Sequence, residues 1–383
     1  MPTDGTQSET PQAILADAYE RAGTNFGQPV VQNQGVQERI ELVGLNQRNG
    51  AVVRLVLACT LAKAHQPAID IRKPYTEIGD SDVYSGRSYD ENYVTTFIQA
   101  HGLPCNPTTA FLTPALRNRN TTLLPDTNLV GRTPELYRAA LQLLTDVQEE
   151  TETAANVLAE TLRVLLVKKH RYEEQMSVLM AGLKTVGEGI PLSSEGIVTL
   201  LEQHLKSPGS SRLPVLAVAA AYEAAGAKLG ERIKPLGSHN AADLQTGAIG
   251  DVEVLLTNGD NAVTGYEMKT RRVTREDINN ALRKIADLRV QNYIFITTDV
   301  IDQEVKEYAA SLYEATGGVE VVVLDCLSFL RYFLHLFHRS RLQFLEAYQS
   351  FVLAEPESAV GQPLKVAWFA LRQAAENALS VEE

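Results

Sequence analysis

The sequence is poor in the residues that form disulfides or bind transition metals. Its three cysteines, Cys59, Cys105 and Cys326, lie far apart in a chain of 383 residues and include no Cys-x-x-Cys pair. Its seven histidines include no His-x-x-x-His pattern. These absences exclude a disulfide-stabilised secreted domain, a zinc ribbon and a histidine-based metalloprotease. We therefore expect reduced thiols in a cytoplasmic protein.

The sequence also lacks a long apolar run and an excess of positive charge. No apolar segment approaches the roughly 18 residues that a membrane-spanning helix needs, so we expect no membrane contact. The net charge of −12 argues against a non-specific nucleic-acid binder, which is usually basic. Residues 267–291 differ from the rest, with seven basic side chains against four acidic ones. A local basic stripe on an acidic protein suits selective rather than loose binding of phosphates.

A turn signal lies between two β-prone runs, residues 250–257 and 262–270. The Asn258-Gly259 pair tolerates the positive φ angles of tight hairpin turns, so it predicts a β-hairpin. A turn of two to four residues places Asp251 opposite residue 266, 267 or 268. The hairpin therefore brings Asp251 beside Glu267, whichever turn is used.

Side chains alternate along a strand, so Glu267 and Lys269 point to the same face. Two carboxylates and an ammonium at one place suit Mg²⁺-dependent phosphodiester hydrolysis, because Mg²⁺ takes oxygen ligands and usually keeps several waters. We expect Asp251, Glu267 and the Met268 carbonyl to bind the metal. Lys269 would position the attacking water or neutralise charge on the phosphate. The alternative is an ordinary surface hairpin with a Glu–Lys pair.

A second Glu-x-Lys triplet, Glu304 to Lys306, serves as an internal comparison. It lies in the helix-like run 302–316, where the helical period separates the two side chains around the axis. The sequence therefore predicts that only the first triplet belongs to a site.

Helical and strand-like runs alternate around the hairpin, which predicts an α/β fold with a mixed sheet covered on both faces. The order is helix, hairpin, helix, strand, helix, strand. The predicted organisation has five parts: a disordered tail (1–10), a mainly helical N-terminal region (11–206), an irregular DNA-contacting segment within it (70–132), a core (207–326) and a helical C-terminal extension (327–383).

Polar side chains of the irregular segment, of the loop 237–247 and of the stretch after Lys269 are of the types that contact bases and phosphates. A structural cover over the helices is the alternative for the irregular segment. The candidate DNA contacts are Arg72, Lys73, Arg87, Asn106, Arg117, Asn118, His239, Asn240, Arg271 and Arg272.

The order of elements, with Asp251 and the triplet Glu267-Met268-Lys269 where they stand, resembles the PD-(D/E)XK nuclease core. The resemblance implies that Asp251 and Glu267 bind Mg²⁺ and that Lys269 is catalytic. It also implies an acid from the preceding helix, the place that Glu223 occupies; a solvent-facing glutamate is the other interpretation. Gly250 stands where the motif usually has proline.

Two blocks, 70–119 and 212–272, further resemble the SacI-like type II restriction endonucleases. That resemblance implies a homodimer that cuts both strands of double-stranded DNA at a short palindrome, GAGCTC in that family, with a partner DNA methyltransferase protecting the host. Two alternatives stay open. One is another PD-(D/E)XK nuclease, acting in repair or phage defence, and the other is a DNA-binding protein without catalytic activity.

Overall fold

The structure is a computed structural model, which describes residues 10–47, 49–106, 109–129, 133–183, 191–237, 248–286, 288 and 290–381. The chain divides into two compact units, one up to Gln175 and one from Met176 onwards. Within the described residues, no helix is both long enough and apolar enough to cross a membrane.

The first unit is helical and has its own hydrophobic core. Its centre is α3, where every residue from Ala51 to Ala62 is buried. The helices are α1 (Pro11–Thr24), α2 (Gln34–Leu45), α3 (Gly50–His65), α4 (Gly86–Tyr89), α5 (Thr95–His101), α6 (Pro134–Gln148) and α7 (Ala154–Ala181), which runs on past the boundary.

The segment 70–132, which is predicted from the sequence to be irregular, contains helical structure. A five-residue π-helical stretch, Asp90–Val94, joins α4 to α5. This wider turn shifts the spacing of the apolar residues, which explains why no helical period is visible in the sequence.

A buried ion pair holds this segment against α3. Arg54 and Asp90 are both fully buried and form a direct salt bridge. The second oxygen of Asp90 accepts hydrogen bonds from the Thr109 hydroxyl at 2.7 Å and the Ala110 amide at 2.8 Å. Burial raises the pKa of Asp90, and the Arg54 guanidinium opposes that rise. Loss of either partner would leave a buried charge uncompensated.

The second unit contains a five-stranded sheet with helices on both faces. Its helices are α8 (Ser194–Leu205), α9 (Leu213–Leu229), α10 (Arg275–Ile285), α11 (Gln303–Ala315), α12 (Cys326–Leu336), α13 (Arg341–Ala354) and α14 (Gln362–Val381). Its strands are β1 (Glu231–Ile233), β2 (Val252–Leu256), β3 (Ala262–Lys269), β4 (Asn292–Thr297) and β5 (Glu320–Asp325).

The strands lie in the order β1-β2-β3-β4-β5. The first three are antiparallel neighbours, whereas β4 is parallel to β3 and β5 is parallel to β4. The sheet is therefore mixed, as the sequence predicts. The short edge strand β1 has no counterpart among the sequence-predicted strands.

The two faces of β3 belong to different hydrophobic clusters. Tyr266 and Met268 pack with residues of α9 and α12. The partner of Glu267 on β4 is Phe295, which packs with α10 and α11 on the other face. Glu267 and Lys269 therefore lie on the face covered by α10 and α11.

The helix α10 begins as its sequence predicts. Thr274 is the N-cap, and a capping box joins its side chain and that of Asp277 to each other's backbone amides. The residues Ile278, Ala281 and Ile285 form its buried face.

The helices α8, α13 and α14 share a core around a buried histidine. Both ring nitrogens of His204 are hydrogen-bonded, one to the Leu364 carbonyl at 2.9 Å and the other to the Tyr348 hydroxyl at 3.0 Å. A carbonyl only accepts, so Nε2 carries the proton and Nδ1 accepts from the tyrosine. Burial lowers the pKa of His204 to about 4, which keeps the ring neutral at physiological pH.

Candidate active site

The register of β2 on β3 places Asp251 beside the end of the Glu-x-Lys triplet. Val252 pairs with Tyr266, and Asp251, one residue earlier, lies close enough to Glu267 for the two carboxyl charges to interact. The Met268 amide donates a hydrogen bond of 2.7 Å to Oδ2 of Asp251. The predicted pairing of the two acidic segments is therefore confirmed, although Asp251 precedes the strand rather than lying within it.

A close backbone approach explains the glycine before Asp251. A Cβ atom at Gly250 would lie 2.5 Å from the carbonyl oxygen of Tyr266, well inside van der Waals contact. Only glycine fits there without a backbone shift. Glycine at this position thus lets the segment before β2 lie closely against β3.

The carboxylate of Glu267 lies among three polar side chains. Its Oε1 is 2.7 Å from Nζ of Lys269. Its Oε2 is 3.2 Å from the Tyr293 hydroxyl and 3.8 Å from Nζ of Lys284. The Tyr293 hydroxyl also lies 2.8 Å from the Ile249 carbonyl oxygen, and its single proton serves one acceptor at a time.

Burial and charge both act on Asp251. Removal from water raises the pKa of its carboxyl, and the nearby charge of Glu267 adds to that rise. The Met268 amide and the Lys269 ammonium favour the charged form and oppose the rise. Asp251 is therefore held in a position that stabilises its charge only in part.

This donor set fits a hard divalent cation. The described residues contain no group of three or more histidine, cysteine, aspartate or glutamate side chains that could hold a metal ion. Mg²⁺ does not require one, since it is commonly held by one or two carboxylates, waters and substrate phosphates. Among the described residues none donates a hydrogen bond to Oδ1 of Asp251, and Glu267 supplies the second carboxylate. Met268 contacts the site through its N–H group.

The structure does not bring Glu223 to these residues. Glu223 is exposed on α9 and lines a cavity of about 730 Å³ with residues of α13, among them Gln343 and Glu346. Among the described residues, no hydrogen bond or ion pair links Glu223 to Asp251 or Glu267. The sheet face against which α9 packs is the one that carries Tyr266, opposite to Glu267.

The comparison triplet lies on a helix, as predicted. Glu304 and Lys306 belong to α11, where Glu304 forms a 2.7 Å salt bridge with Arg275.

Several predicted DNA contacts of the first unit are paired with acids. Arg72 forms a two-pronged pair with Asp70, at 2.9 and 2.8 Å. Lys73 lies between two aspartates, 2.7 Å from Asp80 and 2.9 Å from Asp82.

The others lie nearer the surface or act through the backbone. Arg87 is exposed and pairs with Glu91 at 2.8 Å. Arg117 and Asn118 are exposed, and Asn118 has a positive φ of 53°. The Asn106 carbonyl accepts a hydrogen bond from Arg54.

The basic pair after the triplet is exposed but not isolated. Arg271 forms a two-pronged ion pair with Asp277, the capping residue of α10. Arg272 lies 3.2 Å from Asp302. His239 and Asn240 lie outside the described residues.

Two residues of the site were not predicted from the sequence. Tyr293 lies in an almost wholly apolar strand, and its hydroxyl is the one polar feature that marks it. Lys284 is part of the local basic stripe, but nothing in the stripe distinguishes it from its neighbours.

One comparison with known proteins bears on this site. The family model of the SacI restriction endonuclease C-terminal domain matches residues 193–298. The matched segment covers well under half of the chain and includes Asp251, Glu267, Lys269, Lys284 and Tyr293. A search of curated proteins found no match for the chain. The family match supports a restriction-endonuclease-like protein, hence a nuclease that binds DNA.

The raised pKa of Asp251 generates a prediction on stability. A carboxyl whose pKa is higher in the folded protein than in the unfolded chain destabilises the fold as the pH rises through that range. Asp251→Asn removes the charge and keeps an oxygen that accepts from the Met268 amide. We expect the free energy of unfolding at pH 7 to be higher in this variant than in the wild type, by about 1 kcal/mol, the usual size of a single-site change.

Chemical denaturation at pH 7 and at pH 4 would measure this effect. The advantage of the variant should shrink from pH 7 to pH 4, because protonation progressively removes the charge of the wild-type carboxyl, whose pKa is raised. Asp260→Asn is the matched control, because Asp260 lies on the same hairpin and is fully exposed. If Asp251→Asn were less stable than the wild type at pH 7, the charge of Asp251 would not destabilise the fold.

Proposed function

We propose that the protein is a type II restriction endonuclease with a PD-(D/E)XK core, which cleaves double-stranded DNA in a Mg²⁺-dependent reaction. The observation that carries the proposal is the convergence of Asp251, Glu267 and Lys269 where β2 begins and β3 ends. The family match supports it, because the matched segment contains all three residues. The element order of the second unit is compatible with such a core.

In this proposal Asp251 and Glu267 hold the metal ion through one carboxylate each. Bound Mg²⁺ supplies Lewis-acid polarisation of the scissile phosphodiester and a water of lowered pKa. The Met268 amide keeps Asp251 in place, and Tyr293 limits the rotation of the Glu267 carboxylate. The Lys269 ammonium, now 2.7 Å from Glu267, orients the attacking water and neutralises charge that develops on the phosphate.

We further propose that the enzyme acts as a homodimer on a short palindrome, with GAGCTC as the first site to test. A two-fold symmetric dimer reads a palindrome most simply, because each subunit contacts one half-site and cuts one strand. A DNA methyltransferase of the same specificity would protect the host genome.

Digestion of plasmid DNA tests the function. We expect discrete fragments with Mg²⁺ or Mn²⁺, and binding with little cleavage in Ca²⁺. Ragged degradation would indicate a nuclease without site specificity, and intact DNA under all conditions would indicate a protein without catalytic activity. Full cleavage in excess EDTA would contradict the metal mechanism.

Replacement of Lys269 tests catalysis separately from DNA binding. Lys269→Ala should lower the cleavage rate by at least about 100-fold, as for the loss of one group that stabilises charge in the transition state. Affinity for the same DNA in Ca²⁺ should change far less, since the interaction is made mainly in the transition state.

Lys306→Ala is the matched control for this experiment. It removes the lysine of the comparison triplet on α11, and its cleavage rate should equal that of the wild type. If Lys269→Ala also kept the wild-type rate, the assignment of the hairpin would be wrong.

For recognition, the exposure of the side chains divides the candidate contacts of the first unit into two groups. Arg72 and Lys73 are bound by aspartates, so they stabilise the fold of the segment. Arg87 and Arg117 are exposed, and we propose that they contact DNA. The candidate DNA contacts that remain are Asn106, Asn118, His239, Asn240, Arg271 and Arg272.

Replacement of each group should have a different effect. We expect Arg117→Gln and Arg87→Gln to weaken cognate binding by about 1–3 kcal/mol if they read bases, with no change in melting temperature. Arg72→Gln should mainly lower the melting temperature. Arg171→Gln, an exposed arginine on α7, is the control. Unchanged binding in both Arg87 and Arg117 variants would move recognition to other parts of the chain.

A further inference from the structure

The stretch 326–345 differs in charge from the rest of the chain. It covers α12, the turn after it and the first turn of α13, and it contains no aspartate or glutamate. Its three arginines give it a net charge of +3, whereas the whole chain has a net charge of −12. Positive charge is therefore concentrated in a segment that lies beyond the one matched by the family model.

The exposed side of α12 carries an aromatic ring among basic groups. Tyr332 is 71% exposed, and Arg331 and His335 are each about half exposed. Arg339, in the turn after the helix, is also exposed. The exposed Lys228 of α9 donates a hydrogen bond to the hydroxyl of the next residue, Ser340. We call these side chains the basic surface: Lys228, Arg331, Tyr332, His335 and Arg339.

Two groups of the basic surface share one acid. Glu195 of α8 lies 2.8 Å from Nε2 of His335 and 3.1 Å from Nε of Arg331. The hydrogen bonds from His335 and Arg331 lower the pKa of Glu195, so its carboxylate is charged at neutral pH. That single charge balances Arg331. Among the residues that the structure describes, the Arg339 side chain has no hydrogen bond or ion pair, so the basic surface keeps a net positive charge.

The basic surface begins close to the candidate active site. Lys269 pairs with Thr297 of β4, and Thr297 pairs with Asp325 of β5. Two strand spacings, about 10 Å, separate Lys269 from Asp325. The helix α12 begins at the next residue, and Arg331 follows about 8 Å further along its axis. Arg331 therefore lies within about 20 Å of Lys269, a length that about six phosphates of one DNA strand span.

We propose that the basic surface binds the phosphate backbone of the DNA beside the cleaved bond. This inference rests on the proposed function, which makes DNA the partner of the protein. Arginine, lysine and tyrosine side chains commonly donate hydrogen bonds to phosphate oxygens. Such contacts fix the position of the duplex and carry no sequence information.

The charge of the basic surface favours DNA over a second copy of the chain. The exposed side chains of Tyr332 and Leu336 would suit a protein interface, where aromatic and apolar residues are common. In a two-fold symmetric contact, the same surface meets itself. Arg331 and Arg339 would then lie near the same positive side chains of the other copy. DNA instead supplies one negative charge at each phosphate, so its charge complements that of the surface.

The test compares the double variant Arg331→Gln with Arg339→Gln against the wild type in DNA binding, measured in Ca²⁺ over a range of salt concentrations. One probe is a duplex that contains the sequence mapped from the plasmid digestion, and the other is a duplex of equal length without it. We expect a slope of log affinity against log salt that is smaller by about 2, because each lost phosphate contact lowers it by about 1. Affinity at about 0.1 M salt should fall about tenfold for each lost contact, and equally on both probes.

Three further variants make the result specific. Lys206→Gln removes an exposed lysine that pairs with Glu202 at the other end of α8, and it should match the wild type. Arg331→Lys with Arg339→Lys keeps both charges and should keep the slope. Glu195→Gln removes the acid and should strengthen binding to both probes, whereas an ion pair needed only for the fold would give no such gain. Melting temperatures of all variants would identify any loss of fold.

The inference and the proposed function fail by different results. An unchanged slope in the double variant, or a loss confined to the probe with the mapped sequence, would overturn the inference alone. A dimer that dissociates in the double variant without a change in slope would make the surface an interface between copies, and this also overturns the inference. A wild-type protein that binds and cuts no DNA would overturn both. If the protein binds DNA but the digestion maps no site, the second duplex carries the comparison by itself.

Discussion

The candidate site depends on how closely the segment before β2 approaches β3. The contact of Gly250 with the Tyr266 carbonyl leaves no room for a side chain, and the pairing of Val252 with Tyr266 then sets the position of Asp251. A shift of one residue would turn every side chain of one strand to the opposite face. The Met268 amide would lose Asp251, and the two carboxylates would no longer share one space.

The face of β3 that carries Glu267 receives the rest of the site from α10 and β4. Arg271, two residues after Lys269, pairs with Asp277 in the first turn of α10. This ion pair lowers the pKa of Asp277, so the carboxylate is charged at neutral pH. The end of β3 is thereby tied to the helix that presents Lys284. A residue expected to contact DNA thus also has a structural role, because its charge is already shared with an acid.

The parts of the fold that depend on residues close together in the sequence could be predicted from it. The hairpin and the pairing of its two acidic segments could be predicted, and the capping box of α10 is readable from Thr274 and Asp277 alone. The predicted turn of two to four residues is wrong, because residues 257–261 lie between β2 and β3 and neither Asn258 nor Gly259 has a positive φ. Tyr293 and Lys284 could not be predicted, because their relation to Glu267 depends on the parallel pairing of β4 with β3 and on the packing of α10. Sequence spacing carries no information on either.

The same limit applies to Glu223 and to the segment 86–101. The position of Glu223 along the chain is suitable, but its direction around α9 depends on which face of that helix packs on the sheet. The π-helical stretch Asp90–Val94 removes the regular spacing by which a helix is recognised. Both depend on tertiary packing, which overrides local pattern.

The hydroxyl of Tyr293 lies within reach of two acceptors, the Ile249 carbonyl and Glu267. Rotation of the hydroxyl about its C–O bond redirects the donated hydrogen bond from one acceptor to the other while every heavy atom stays in place. Each acceptor belongs to one of the two segments that carry the carboxylates. The protein can therefore accommodate a change of charge at Glu267 by turning a single dipole, and the rigid sheet need not reorganise.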